Sequence, residues 1–326
     1  MKNSANKANS ETEVLVGENG LWKGLHYKRE RFKIMRKIVA HVTTQSWDQV
    51  PHCTFNYEPD VTDFMEEYRI VKSNNLPKQN ITFNSLMLKV IVEGLKAAPH
   101  LNAYVQYNKV NSRGTVDIIE EINISMPCKV DENNTITIQV QNTHKKTLAE
   151  IDSYVTDVRR RAANTNLDEL YFRVAFKESM EELKRGKLPL VLRRLFVGRV
   201  GKDKVHPLTG QAKKEYDRIP ETDRLTIGDV RQGTLVVTNV GSILRESSIT
   251  VNLLEIIPPQ TLAIALTAAK EKPAYVIENG EKVLKPRLIM SICIAFDHRA
   301  YDFDAMVPFI KRLDEIFADP KVIHEW

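Results

Sequence analysis

His298 and Asp302 stand four residues apart within Ala295-Phe296-Asp297-His298-Arg299-Ala300-Tyr301-Asp302-Phe303-Asp304-Ala305. A neutral imidazole, with a pKa near 6.5, can take a proton from a thiol or hydroxyl as it attacks, and a nearby carboxylate can support the ring's geometry. Spacing alone is a weak signal. The chain has eight histidines, so an Asp at this offset is expected about 0.4 times by accident at ordinary residue usage. A helix-capping aspartate beside a surface histidine has the same pattern.

The flanking elements decide where this pair sits. Leu288 to Phe296 is an apolar run of branched and aromatic residues, which predicts a buried strand. Met306, Phe309, Ile310, Leu313, Ile316 and Phe317 then recur at helical spacing. Asp302 or Asp304 is placed to cap that helix. His298 therefore falls at a strand-to-helix junction, on the rim of a packed scaffold, a position that suits a catalytic group.

The 326 residues allow one large or two ordinary domains, and 42% hydrophobic residues support a substantial core. A net charge of +5 is mildly basic and demands no nucleic-acid partner. Cys53, Cys128 and Cys293 lack metal-type spacing, so buried, reduced thiols in a cytoplasmic protein are expected. Met1 to Gly20 is polar, with no signal-type apolar region, and no apolar run reaches transmembrane length.

Residues 1–32 read as a flexible tail, and residues 33–326 as the folded part. Helical patterns start near Ile34, at Asp60 or Thr62, and at Thr82 or Asn84. Short strands are expected at Ala103–Tyr107, Val116–Ile119, Ile122–Met126 and Thr135–Val140. Thr147-Leu148-Ala149-Glu150 is a capping box, and the helix behind it ends in Arg159-Arg160-Arg161. Residues from about 166 to 228 read as a basic helical insertion. Its stretch 184–204 interleaves eight Lys and Arg with apolar residues, a pattern fit for a membrane surface, an acidic partner or the solvated face of a helical hairpin. Strands return at Gly233–Gly241, Gln260–Ala269 and Val283–Phe296, the last interrupted near Pro286. Elements mix without regular alternation, which predicts an α+β architecture with a mixed central β-sheet and helices packed on it.

In order, these segments resemble the catalytic domain of the dihydrolipoamide acyltransferases of 2-oxo acid dehydrogenase complexes, a chloramphenicol acetyltransferase-like fold. Met35–Ala40 looks like the family's opening helix, and Pro51-His52-Cys53-Thr54-Phe55 its first strand. Ile81–Met87, Pro99–Ala103, Lys145–Ile151, Gly233–Gly241, Pro258–Ile264 and Phe296–Arg299 follow in family order.

The resemblance implies coenzyme A-dependent acyl transfer between a thioester and a thiol such as dihydrolipoamide. It assigns His298 as general base, Thr238 as a hydroxyl donor to the oxyanion, and Asp302 as a carboxylate held by an arginine, with Arg36 and Arg299 as candidate partners. It further implies a homotrimer, or a multiple of one, with His and Thr supplied by neighbouring chains. Acyl-CoA is then a substrate. The lipoyl group is expected on a separate protein, since some thirty leading residues cannot hold a lipoyl domain.

Four features depart from the family pattern. Phe303 replaces a glycine after the Asp, Thr238 replaces a serine, and Met126–Gln141 contains Asp131-Glu132-Asn133-Asn134 in place of a Gly- and Pro-rich stretch; the N-terminal domains are the fourth. Phe303 and the expected lack of a lipoyl domain keep a second reading open, a trimeric or cage-forming core of the same fold without the chemistry; His298, Asp302 and the Thr238 hydroxyl oppose it. Acyl transfer to an unrelated small molecule is a third.

Overall fold

Every residue of Ile292–Asp297 is buried. Ile292, Ile294 and Phe296 join the main core, while Ala295 points to the other face of the sheet, against Val50, Ile256 and Ala263. The alternation follows from the period of two along a strand. This strand is central to a computed structural model that describes residues 32–75, 81–130, 135–184 and 207–326. Residues 1–31 of the expected tail, and all of the basic stretch 184–204 except Lys184, lie outside the described residues.

In chain order the elements are α1 (Ile34–Gln49), β1 (His52–Tyr57), α2 (Thr62–Asn75), α3 (Phe83–Ala97), β2 (Ala103–Asn108), β3 (Arg113–Ile118), β4 (Ile124–Lys129) and β5 (Thr135–Val140). Then come α4 (Leu148–Ala162), α5 (Leu167–Lys184), α6 (Gly210–Arg218), β6 (Leu235–Asn239), β7 (Leu262–Leu266), β8 (Lys270–Glu278), β9 (Glu281–Ile289), β10 (Ile292–Asp297) and α7 (Val307–Ala318). A six-stranded sheet runs β1-β10-β7-β6-β4-β5. Its β4–β6 and β6–β7 pairs are parallel and the others antiparallel, so the sheet is mixed as expected.

Helix α3 is buried around most of its girth and packs against α7. A Cβ on Gly94 would lie 2.6 Å from the Phe309 ring, so only glycine admits this approach. Thr82 caps α3 by accepting the Ser85 N–H. The Thr147–Glu150 capping box opens α4 as its sequence predicts. Asp60 accepts the Thr62 N–H at the start of α2 at 3.0 Å.

Two expectations change. The run from Val283 to Phe296 is two strands, and Pro286 does not interrupt the first. Strand β9 pairs with β8 in a separate two-stranded hairpin, and its last residue, Ile289, bridges to Asp60. A proline there forfeits no sheet hydrogen bond if its nitrogen faces outward. The turn residues Asn279 and Gly280 have φ of 51° and 86°, as a tight hairpin turn demands. Second, neither Asp302 nor Asp304 caps α7. A 3-10 turn, Phe303–Met306, precedes that helix, and Asp302 makes no side-chain cap bond. Among the described residues Asp304 takes only the Ala305 N–H.

Candidate active site

The turn after β10 is built on Asp297, which is fully buried. Its carboxylate receives the Arg299 backbone N–H at 2.9 Å and a guanidinium fork, Nε at 3.0 and 3.1 Å and Nη2 at 2.6 Å. A buried carboxylate needs such a partner to stay charged, and the two-pronged geometry fixes direction as well as charge. The Asp297 carbonyl also accepts the N–H groups of Ala300 and Tyr301. The chain therefore reverses immediately after the strand.

His298 is carried on this reversal. Its N–H bonds the Pro51 carbonyl at 3.1 Å, tying the turn to the start of β1. Its ring lies edge-on to buried Phe296, with centroids 5.8 Å apart. Nδ1 is 3.0 Å from the Tyr301 carbonyl and 3.4 Å from Asp302 Oδ1. A carbonyl only accepts, so Nδ1 carries the hydrogen in the neutral ring and Nε2 keeps the lone pair. The side chain is 46% exposed. This is the tautomer and the access that a general base requires.

His298 and Asp302 are thus brought together, although Asp302 is 83% exposed and its contact is long. The expected arginine partner for Asp302 is not found: Arg299 is committed to Asp297, and Arg36, exposed on α1, forms no ion pair among the described residues. The buried position on this turn belongs to Asp297. Phe303 adopts no positive φ. Its half-exposed ring packs on Phe296 and Phe55, with centroids 5.2 and 5.9 Å away. The conformation does not call for glycine here.

Thr238 lies elsewhere. On β6 it pairs with Ala265 of β7, which pairs with Cys293 of β10. Since β10 runs antiparallel to β7, His298 is five residues further toward the opposite end of the sheet. At ordinary strand geometry that is roughly 16 Å along the strands and ~10 Å across two of them. Thr238 is half-buried, and its hydroxyl forms no hydrogen bond among the described residues. The strand end behind it is fastened by Asn239, whose Nδ2 donates to Asn84 at 2.6 Å and whose Oδ1 accepts the Ser242 N–H. The next turn rests on the backbone of residues 267–268, where a Cβ on Gly241 would come within 2.2 Å of the Ala268 nitrogen.

A second histidine, His52, neighbours the site without sharing its chemistry. Its Nε2 accepts the Ile256 N–H at 3.0 Å and lies 3.1 Å from Ser46 Oγ. Burial pushes its pKa below the ordinary value. Its lone pair is occupied by the fold.

The chain matches the family described as 2-oxoacid dehydrogenases acyltransferase (catalytic domain) over residues 25–172 and 207–325, and it belongs to that family. It is 22% identical over 284 residues to the lipoamide acyltransferase component of the branched-chain alpha-keto acid dehydrogenase complex of Bacillus subtilis, covering 86% of this chain and 50% of that protein. It is 23% identical over 299 residues to the dihydrolipoyllysine-residue succinyltransferase component of the 2-oxoglutarate dehydrogenase complex of Haemophilus influenzae, covering 90% and 54%. The chain spans about half the length of these relatives. The fold is that of the cubic core of the pyruvate dehydrogenase multienzyme complex, with a TM-score of 0.62, 16% identity, and coverage of 95% of this chain and 98% of that one. A probable dihydrolipoamide acetyltransferase from Listeria monocytogenes gives 0.59, with 17% identity over 90% and 94%. Among the described residues no helix is long and apolar enough to cross a membrane, and no cluster of metal-ligating side chains occurs.

Three residues of the site gave no sequence signal used above. Asp297 was visible only as part of the Asp-His-Arg run. Tyr301, in the turn after β10, and Asn239, at the end of β6, take their roles from backbone and amide contacts.

Proposed function

We propose that this chain is an acyltransferase that moves an acyl group between coenzyme A and the thiol of dihydrolipoamide carried on another protein. The observation that carries this reading is the His298 ring, held by the Tyr301 carbonyl with Nε2 unengaged and half-exposed. Thiols with a pKa near 8.5 are mostly protonated at neutral pH. His298 Nε2 removes the S–H proton as sulfur attacks the thioester carbonyl carbon. The resulting oxyanion needs a preorganised donor, a role for the free hydroxyl of Thr238. Collapse breaks the old carbon–sulfur bond, and the departing thiolate takes the proton from His298.

The wide separation of Thr238 and His298 supports a site shared by neighbouring copies, in a homotrimer or a multiple of one. Asp302 then acts as an exposed carboxylate near Nδ1, and Arg299 supports the turn through Asp297. Arg36 has no role in this reading.

The test is thioester exchange between acyl-CoA and dihydrolipoamide. Acetyl, succinyl and branched acyl groups define the preference. His298→Ala should lower the rate by about 10²–10⁴-fold, the usual worth of a general base, without changing native mass. An unchanged rate would defeat the assignment. No turnover by the wild type with any acyl group would favour a non-catalytic assembly core instead.

A further inference from the structure

Tyr301 bears on His298 through both of its ends. Its backbone carbonyl receives His298 Nδ1–H. Its phenol donates to the backbone carbonyl of His100, in the 3-10 turn Pro99–Leu101 that follows α3. The two rings lie edge-to-face, 5.9 Å between centroids. His100 Nε2 also reaches the Ala305 carbonyl at 3.0 Å and must donate there. One residue outside the turn thus grips it at two places. The grip is firm because the Pro99–Leu101 turn is itself anchored: the Asn102 N–H returns to Pro99, and the Thr261 hydroxyl donates to Leu101 at 3.2 Å. Burial raises the Tyr301 phenol above its ordinary pKa, so it remains a donor throughout the range in which imidazole titrates.

We propose that Tyr301 is a positioning residue: anchored on His100, it sets the carbonyl that keeps His298 protonated at Nδ1 and bare at Nε2. This rests on His298 being the base. The second acceptor within reach of Nδ1 is Asp302, a carboxylate that favours the charged ring. The remaining charged neighbours, Arg299 and Asp297, are engaged with each other, and His52 on β1 is held by Ile256. Loosening Tyr301 therefore transfers Nδ1 toward Asp302, turns Nε2 from its line of attack and stabilises imidazolium.

Tyr301→Phe removes the phenolic oxygen alone. In the assembled protein it should lower kcat by about 10- to 100-fold, the scale expected when a reacting group is misplaced, with KM for acyl-CoA unchanged. The acid limb of the kcat/KM profile should move to higher pH. Carbethoxylation of His298 by diethyl pyrocarbonate, followed against pH by peptide mass spectrometry, should show the same upward movement without any substrate. His100→Ala keeps the backbone acceptor but loses the ring contacts, and should shift the titration in the same direction by less. That variant decides the matter if Tyr301→Phe does not assemble. A rate loss with no movement of the His298 titration, in either variant, would mean a merely structural role and would overturn the proposal. Wild-type rate and titration in Tyr301→Phe, with His298→Ala inactive, would overturn it while leaving the base in place. Full activity in His298→Ala would remove both.

Discussion

His298 and Thr238 stand at opposite ends of the same sheet, separated by five positions of strand register and one intervening strand. Side-chain reach cannot close roughly 16 Å along a hydrogen-bonded sheet. If both act on one carbonyl, two copies of the chain must meet.

Subunit mixing tests that consequence. His298→Ala and Thr238→Ala are each expected to be strongly impaired, the latter by about 10²–10³-fold. Co-assembled at equal amounts in a cyclic trimer, about one quarter of the sites should combine an intact His298 with an intact Thr238 from the adjoining copy. Activity should therefore rise to about a quarter of wild type. A site contained in one chain would show no recovery.

The Asp297–Arg299 fork supplies a second prediction. Asp297 is fully buried and Arg299 is 19% exposed. Arg299→Ala leaves a buried carboxylate without its partner, which typically costs about 3–5 kcal/mol. The urea midpoint should fall accordingly, and activity should fall with it because the same turn carries His298. A midpoint shift below about 1 kcal/mol would be the behaviour of a surface pair.

A third concerns pH. The folded pKa of His52 is depressed by burial, whereas in the unfolded chain it titrates near 6.5. Below about pH 6.5 the unfolded state binds the proton first, so stability present above that pH is lost as pH falls toward the folded value. His144 is lowered in the same direction, also chiefly by burial, and adds to the slope. His52→Gln keeps an acceptor for the Ile256 N–H and removes the titration. Its urea midpoint should vary less between pH 7 and 5 than that of the wild type; equal slopes would contradict the account.

Phe303 gives a fourth. Its ring packs on Phe55 and Phe296, and its backbone has no positive φ. Phe303→Gly therefore relieves no strain. It should destabilise the fold by about 1–2 kcal/mol through lost packing and added chain freedom, read from thermal or urea unfolding. A large gain in turnover would instead show that the aromatic ring obstructs substrate.

Much of this was legible in the chain itself. The Thr147–Glu150 box marked one helix start, and Thr82 or Asn84 another, because capping is local chemistry between residues three apart. Gln260–Ala269 and the apolar run Leu288–Phe296 read as strands by composition, and they hold β7 and most of β10. Pro286 reads as a strand breaker in isolation, while the signal for the β8–β9 hairpin is Asn279-Gly280 between two pairing strands. Asp302 stands out in the sequence because its spacing from His298 invites a pair. That Asp297 is the buried aspartate holding Arg299 is a property of the whole fold.

The sequence by itself determined the periodicities, the caps and the presence of a histidine at the end of a buried strand, since each depends on neighbours within a few residues. Only the tertiary structure decided which aspartate holds Arg299, which nitrogen of His298 carries the proton, and how far Thr238 lies from it. Those depend on strand register and on contacts such as Tyr301 with His100, some two hundred residues apart, for which local sequence has no code.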